Sequence, residues 1–260
     1  MKSPFKLRSG PTFLTLLSII ILLAGGKPIG AQVSDASHLP ADPAKLPGKG
    51  PLQTWGGYTN IWAERHAAWR RDTNNHAGAV VFLGDSITEG WKRLAQDFPD
   101  IKVVNRGIGG DTTRGVLYRL NADVLALKPA AVVLLIGIND IALGAKPEDI
   151  ADNIKGILMD LKQSNPHMPV IVCKVMPSSQ KQYRPAGQIK QLNALVDEIV
   201  KSDPQFIRCD TWSIYADENG NCKKEEFPDL LHPNGIGYAK WADVLRPILA
   251  RLNLEAAKVR

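Results

Sequence analysis

Cysteine is almost missing from this chain: three residues in 260, at positions 173, 209 and 222. Three thiols are too few for a disulfide framework, and their spacing fits no zinc site. No grouping of His, Cys, Asp and Glu has metal-ligand spacing, so chemistry that needs a metal cluster is not expected. Gly107-x-Gly109-x-x-Thr112 lacks the third glycine of a dinucleotide fingerprint, and the P-loop pattern is absent. The 22 glycines and 18 prolines have no fixed period, and nothing repeats at solenoid or propeller spacing. A net charge of +6 would suit a nucleic-acid or membrane partner, but the excess is local. Lys2, Lys6, Arg8 and Lys27 stand in the first 31 residues, which contain no acid; beyond them 28 basic residues face 26 acidic ones. No basic patch suited to tracking phosphates remains, and no nucleic-acid partner is expected.

The one long apolar run is Thr12 to Ala24, 13 residues after the positive start. It is short for a hydrocarbon layer of ~30 Å and right for the core of an export signal. Ala31 offers a small residue for cleavage, although Ile29, two residues before it, is less usual there than alanine. Residues 1–31 are expected to be a signal peptide, with an uncleaved anchor as the alternative, and the folded part is expected to be periplasmic or extracellular, with no stable membrane insertion after cleavage. Residues 32–53, interrupted by Pro40, Pro43, Pro47 and Pro51, read as a flexible spacer without a core of its own. The folded domain is expected over 54–260.

Within that domain, short Val/Ile-rich runs alternate with amphipathic segments. The runs are Ala79–Leu83, Ile101–Val104, Ala131–Ile136, Pro169–Val175 and Phe206–Cys209. They lack clean alternation, as strands buried on both faces do. Between them, Pro147–Gln163 lines up Ile150, Ile154, Ile157, Leu158 and Leu161, Gln188–Lys201 does the same, and Gly237–Leu252 closes the chain. A further helix before the first strand places Trp62, His66 and Trp69 on one face. The pattern predicts an α/β fold: a three-layer α/β/α sandwich around a five-stranded parallel sheet.

Ligands of such sheets bind outside the carboxyl ends of the strands. The residues expected there are Gly84-Asp85-Ser86-Ile87-Thr88, Asn105 through Thr113, Gly137-Ile138-Asn139-Asp140 and, before the last helix, Asp229-Leu230-Leu231-His232-Pro233. His232 is a candidate base, and of the five histidines it alone is expected to return to that edge. Asp229, three residues earlier, is spaced either to orient the imidazole or to cap a turn. Ser86 is either a nucleophile or a helix N-cap; its surroundings are not the Gly-x-Ser-x-Gly elbow. Gly110 offers a backbone N–H, and Asn139 side-chain donors. Asp85 and Asp140 read as turn supports. Together these residues supply a nucleophile, a base, an orienting acid and three donors for a developing oxyanion.

The four segments, in this order over about 150 residues, resemble the blocks of the SGNH/GDSL hydrolase superfamily. The likeness is to the branch similar to the catalytic subunits of platelet-activating factor acetylhydrolase, which includes secreted bacterial esterases. The resemblance implies a flavodoxin-like hydrolase fold, with Ser86 as nucleophile, His232 as base and Asp229 as its partner. Ser86, Gly110 and Asn139 would form the oxyanion hole. Ile138 replaces a polar residue often found before the asparagine. No metal or cofactor is implied. The expected activity is hydrolysis of short-chain, first of all acetyl, O-esters of small molecules or glycans. An acyltransferase using the same site and a lysophospholipase or thioesterase-type hydrolase are the alternatives. Trp91, Tyr183 and Trp212 stand in segments near the site, as sugar platforms or as packing. Cys209 and Cys222 either bridge or stay free, and Cys173 reads as a buried strand residue. Oligomeric state is not legible.

Overall fold

A computed structural model describes residues 39–40, 42–53, 56–254 and 257; the expected signal peptide lies outside them. Five strands form one sheet: β1 (Val80–Gly84), β2 (Val103–Gly107), β3 (Ala131–Leu135), β4 (Val170–Cys173) and β5 (Phe206–Cys209). Every pairing is parallel and the order is β2-β1-β3-β4-β5. β1 and β3 are buried along their whole length, which is why their sequences run apolar without alternation. The chain order reverses between β1 and β3, so a crevice opens at their carboxyl ends.

Helices cover both faces. α1 (Gly56–Arg71), α4 (Thr113–Asp123), α6 (Pro147–Ser164) and α7 (Ala186–Lys201) pack in series. α6 and α7 present the apolar faces expected of them, with Ile150, Ile154, Ile157, Ile189 and Leu192 buried. α8 (Gly235–Leu249) joins an aromatic cluster with the residues that flank α3 (Leu94–Asp97). Trp241 lies 4.7 Å from Trp91, which in turn meets Phe82 of β1 and Phe98. Two short helices, α2 (Ser86–Glu89) and α5 (Ile138–Ala142), open at the carboxyl edge. The expected sandwich is the fold observed. Among the described residues no helix is long and apolar enough to cross a membrane.

Two local features differ from the sequence reading, and a third settles an alternative that it left open. β2 begins at Val103 and carries on through Asn105, Arg106 and Gly107, beyond the apolar run at 101–104. Arg106 can continue the strand because its buried guanidinium stacks over Trp69, 4.8 Å from the ring centre, and its Nε donates to the Asp123 carbonyl at 3.1 Å. The Cys209–Cys222 bridge is not formed: all three thiols are free and buried, and Cys209 instead stands beside Cys173 across the β4–β5 pair. Finally, the described part of the expected spacer is docked. Arg114 donates to the carbonyls of Leu46, Pro47 and Gly50, and Asn153 exchanges two hydrogen bonds with the Lys49 backbone. The attachment uses backbone carbonyls, which composition cannot reveal.

Candidate active site

The β1–α2 turn sets the centre of the site. Asp85, the N-cap of α2, accepts the Ile87 N–H at 2.9 Å. Because Asp85 caps the helix, the Ser86 hydroxyl is free for another partner. That partner is His232, whose Nε2 lies 2.9 Å from Ser86 Oγ across 146 residues of chain. Gly107 permits the approach of α2 to β2. A Cβ there would stand 2.2 Å from the Glu89 nitrogen.

Asp229 does both things the sequence offered. Its Oδ1 accepts the N–H groups of Leu231 and His232 at 3.0 and 2.7 Å, fixing the turn, and its Oδ2 lies 2.6 Å from His232 Nδ1. Partial burial pushes the Asp229 carboxyl up, but the hydrogen bonds from the His232 ring and the two N–H groups outweigh it and hold the pKa below its ordinary value. Leu230, inside the turn, has a left-handed φ of 65°. This strained residue is held by its own N–H, given to Phe227 O, and by Ser178 Oγ, given to its carbonyl.

The opposite side of the site is made by the β2–α4 loop and by α5. Gly110 has φ 81°, a conformation that suits glycine. Among the described residues its N–H and that of Ser86 meet no acceptor. The neighbours on either side of Gly110 are tied down. The Gly109 N–H donates to Glu89 Oε2 at 2.8 Å, and Arg65 of α1 binds the other oxygen of Glu89 at 2.5 Å. Asp111 accepts from Tyr58 at 2.8 Å, from Arg119 Nε at 2.7 Å and from the Thr112 N–H at 2.9 Å. Arg119 also donates to the carbonyls of Gly84 and Arg106. One guanidinium thus joins the ends of β1 and β2 to the loop. Asp140 accepts the Thr113 N–H and hydroxyl, tying α5 to the start of α4.

Asn139 is buried beside this loop. Its Nδ2 donates to the Asp111 carbonyl at 3.0 Å, and Arg184 Nη2 donates to its Oδ1 at 2.9 Å. Burial pushes Asp85 up to about 7 and Asp140 up to about 6, the latter against the opposing pull of its Thr113 donors. Each candidate site residue therefore stands at the carboxyl edge: Ser86, His232 and Asp229 in one hydrogen-bonded line, with Gly110 and Asn139 beside it. The arrangement can take a proton from a hydroxyl, pass it on, and offer N–H groups to a carbonyl oxygen.

The candidate sugar platforms separate. Trp91 is buried in the aromatic cluster, Trp212 is half-buried beneath Lys190, and Tyr183 is 77% exposed. Four residues of the site escaped the sequence reading. Arg119 carried a signal, an i,i+4 ionic pair with Asp123 on the buried side of α4, and Glu89 lies three residues after Ser86. Tyr58 and Arg184 carried none.

Fold and edge residues together define an α/β/α acyl-hydrolase class. The family model for GDSL-like lipases and acylhydrolases matches residues 82–240. The chain is 29% identical over 204 residues to human (Homo sapiens) platelet-activating factor acetylhydrolase IB subunit alpha2, covering 74% of this chain and 84% of that protein. Among solved structures it resembles a GDSL-like lipase from Bacteroides thetaiotaomicron, with a TM-score of 0.63, 25% identity, and coverage of 72% of this chain and 97% of the other. It also resembles a lipase/acylhydrolase from Enterococcus faecalis, with a TM-score of 0.55, 25% identity, and coverage of 68% and 98%. The chain belongs to the GDSL-like lipase/acylhydrolase family. It is an ester hydrolase.

Proposed function

We propose that this enzyme is an exported serine hydrolase that removes short acyl groups, acetyl foremost, from O-esters. His232 Nε2 takes the Ser86 proton as Oγ attacks the ester carbonyl carbon. The N–H groups of Ser86 and Gly110 and the Asn139 amide receive the oxyanion. The tetrahedral intermediate collapses, the alkoxide leaves with the proton from His232, and an acyl-serine remains. A water molecule, deprotonated by His232, then releases the acid and restores the Ser86 hydroxyl. Asp229 fixes the imidazole with Nδ1–H toward itself and stabilises the imidazolium.

The observation that carries this reading is the line Ser86 Oγ–His232 Nε2–Asp229 Oδ2, at 2.9 and 2.6 Å, beside two N–H groups that meet no acceptor among the described residues. Acetyl preference draws support from relatives named as acetylhydrolases. Export rests on the charged start and 13-residue apolar run of the N-terminus. A carbohydrate alcohol draws support from Tyr183, an exposed ring in the loop that carries Arg184.

The test is 4-nitrophenol release from acetyl, butyryl and octanoyl esters by the purified protein and by Ser86→Ala. We expect acetate turnover that falls with chain length and drops at least about 10³-fold in Ser86→Ala. Equal rates in the two proteins would remove the serine mechanism, and preference for octanoate would remove the short-chain specificity.

A further inference from the structure

Asn139 can serve as an oxyanion donor only if its amide faces one particular way. The oxygen and nitrogen of an asparagine amide differ little in shape, so its neighbours must choose between them. Two neighbours do. The Asp111 carbonyl can only accept, so Nδ2 turns toward it, at 3.0 Å. The Arg184 guanidinium can only donate, so Oδ1 turns toward Nη2, at 2.9 Å. One Nδ2 hydrogen is then engaged by Asp111, and the second is left for the site. With the amide reversed, Arg184 would face an N–H and Asp111 an oxygen, and a carbonyl oxygen would point at the developing negative charge.

Arg184 is itself held for this task. Its backbone N–H donates to Ser179 O at 3.2 Å and its Nη1 to Gln182 O at 2.6 Å. Gln182 Nε2 donates to the Asp229 carbonyl at 2.7 Å, so the same loop also reaches the turn that bears His232. Among the described residues the buried Nε of Arg184 meets no partner. Arg184 is half-buried and its Nη1 and Nη2 both donate, but an unused buried donor is costly, and the contact with Asn139 gives that cost a reason beyond loop packing. Arg184 is a cation against the oxygen of the donor amide, and it polarises that amide in the direction that strengthens its N–H.

We propose that Arg184 is a positioning residue of the oxyanion hole: by donating to Asn139 Oδ1 it fixes the amide with Nδ2 toward the reacting carbonyl oxygen. It acts through Asn139 and touches neither the substrate nor Ser86. The proposal rests on the esterase reading of this site.

The test is a double-mutant cycle on the full chain with 4-nitrophenyl acetate. Wild type, Arg184→Met, Asn139→Ala and the double variant are compared, with thermal unfolding alongside. Removing one oxyanion donor costs about 10²–10³-fold in kcat, so Asn139→Ala should lose about that much. Arg184→Met should lower kcat by about 10- to 100-fold, with KM changed less than about twofold. In the Asn139→Ala background the same substitution should lower kcat less than about threefold, because the amide it orients is gone. Arg184→Lys, which keeps a cation and one donor, should fall between wild type and Arg184→Met, and it provides the comparison if Arg184→Met does not fold. Equal losses in both backgrounds, or a loss carried by KM, would overturn the assignment. A Lys variant as impaired as Arg184→Met would overturn it as well. Absence of Ser86-dependent turnover in the wild type would overturn the esterase reading and this role with it, an outcome visible before any Arg184 variant is made.

Discussion

His232 and Asp229 stand on a turn that leaves their side chains 42% and 53% exposed, and they are three residues apart. Across the site, Asp111, Arg119 and Thr113, which back the Gly110 loop, are fully buried, and their partners come from α1, β1, β2 and α5. On the proposed acid–base side the two side chains are joined by contacts between near neighbours in the chain, and distant residues, Ser178 and Gln182, reach only the backbone carbonyls of the turn. The proposed oxyanion side is held through its side chains by a tertiary network. The difference follows from the chemistry. A base that gives and takes protons must meet solvent and substrate, whereas donors for an oxyanion work best when fixed in advance in a water-poor setting. Substitution on the exposed side should therefore cost rate with little stability, and substitution in the buried network should cost stability first.

The sharpest test of that contrast is Asp229→Asn. An asparagine can still accept the Leu231 and His232 N–H groups but cannot stabilise the imidazolium. We expect kcat on 4-nitrophenyl acetate to fall about 10³–10⁴-fold, with the unfolding free energy changed by less than about 0.5 kcal/mol. Equal loss of both would break the comparison. Next in size is Arg119→Met, which leaves Asp111 and Asp123 buried without their cation. Urea unfolding should show a loss of about 3–5 kcal/mol; a variant as stable as wild type would mean that the network holds nothing.

The two sides should also differ in their response to pH. Burial raises Asp85 to about 7 from an ordinary 3.8, so the folded state binds its proton more tightly than the unfolded state does. This stabilising contribution is complete below about pH 4 and is lost as pH rises through 7. Its size is about 4 kcal/mol at most. Asp229 has the opposite sign, since its lowered pKa gives a contribution that is lost on acidification. Melting temperatures from pH 7 to 4.5 should rise relative to Asp85→Asn, which cannot ionise; parallel curves would place the proton elsewhere. Smallest is Tyr58→Phe, which removes one of three donors to Asp111. It should cost about 1–2 kcal/mol with a smaller loss of kcat, measured by the same unfolding and turnover assays. A large kcat loss with unchanged stability would show α1 tuning the loop rather than supporting it.

Legibility followed the same division. Asp229 and His232 were readable as a pair because their contact is local, at fixed spacing. Ser86, Gly110 and Asn139 were readable because each follows an apolar run and so falls at the carboxyl edge. Glu89, Arg119 and Tyr58 were not, although they fix the loop that contains Gly110. The docking of residues 46–50 was hidden for a related reason: Arg114 binds backbone carbonyls there, and carbonyls are the same in every sequence.

The alternation of apolar runs and amphipathic helices was enough to determine the layered parallel sheet, because burial on both faces leaves its mark on composition. The same pattern, with the residues that follow each run, determined which groups meet at the carboxyl edge as candidates for acyl chemistry. Only the tertiary structure decided the rest. It freed the Ser86 hydroxyl by giving the cap to Asp85, kept the three thiols apart from any bridge, buried Trp91 while exposing Tyr183, and brought Arg184 to Asn139 across 45 residues. Those outcomes depend on distances of a few ångströms between segments far apart in the chain, and hydrogen bonds at that range are set by how helices and loops settle on the sheet, which no local pattern encodes.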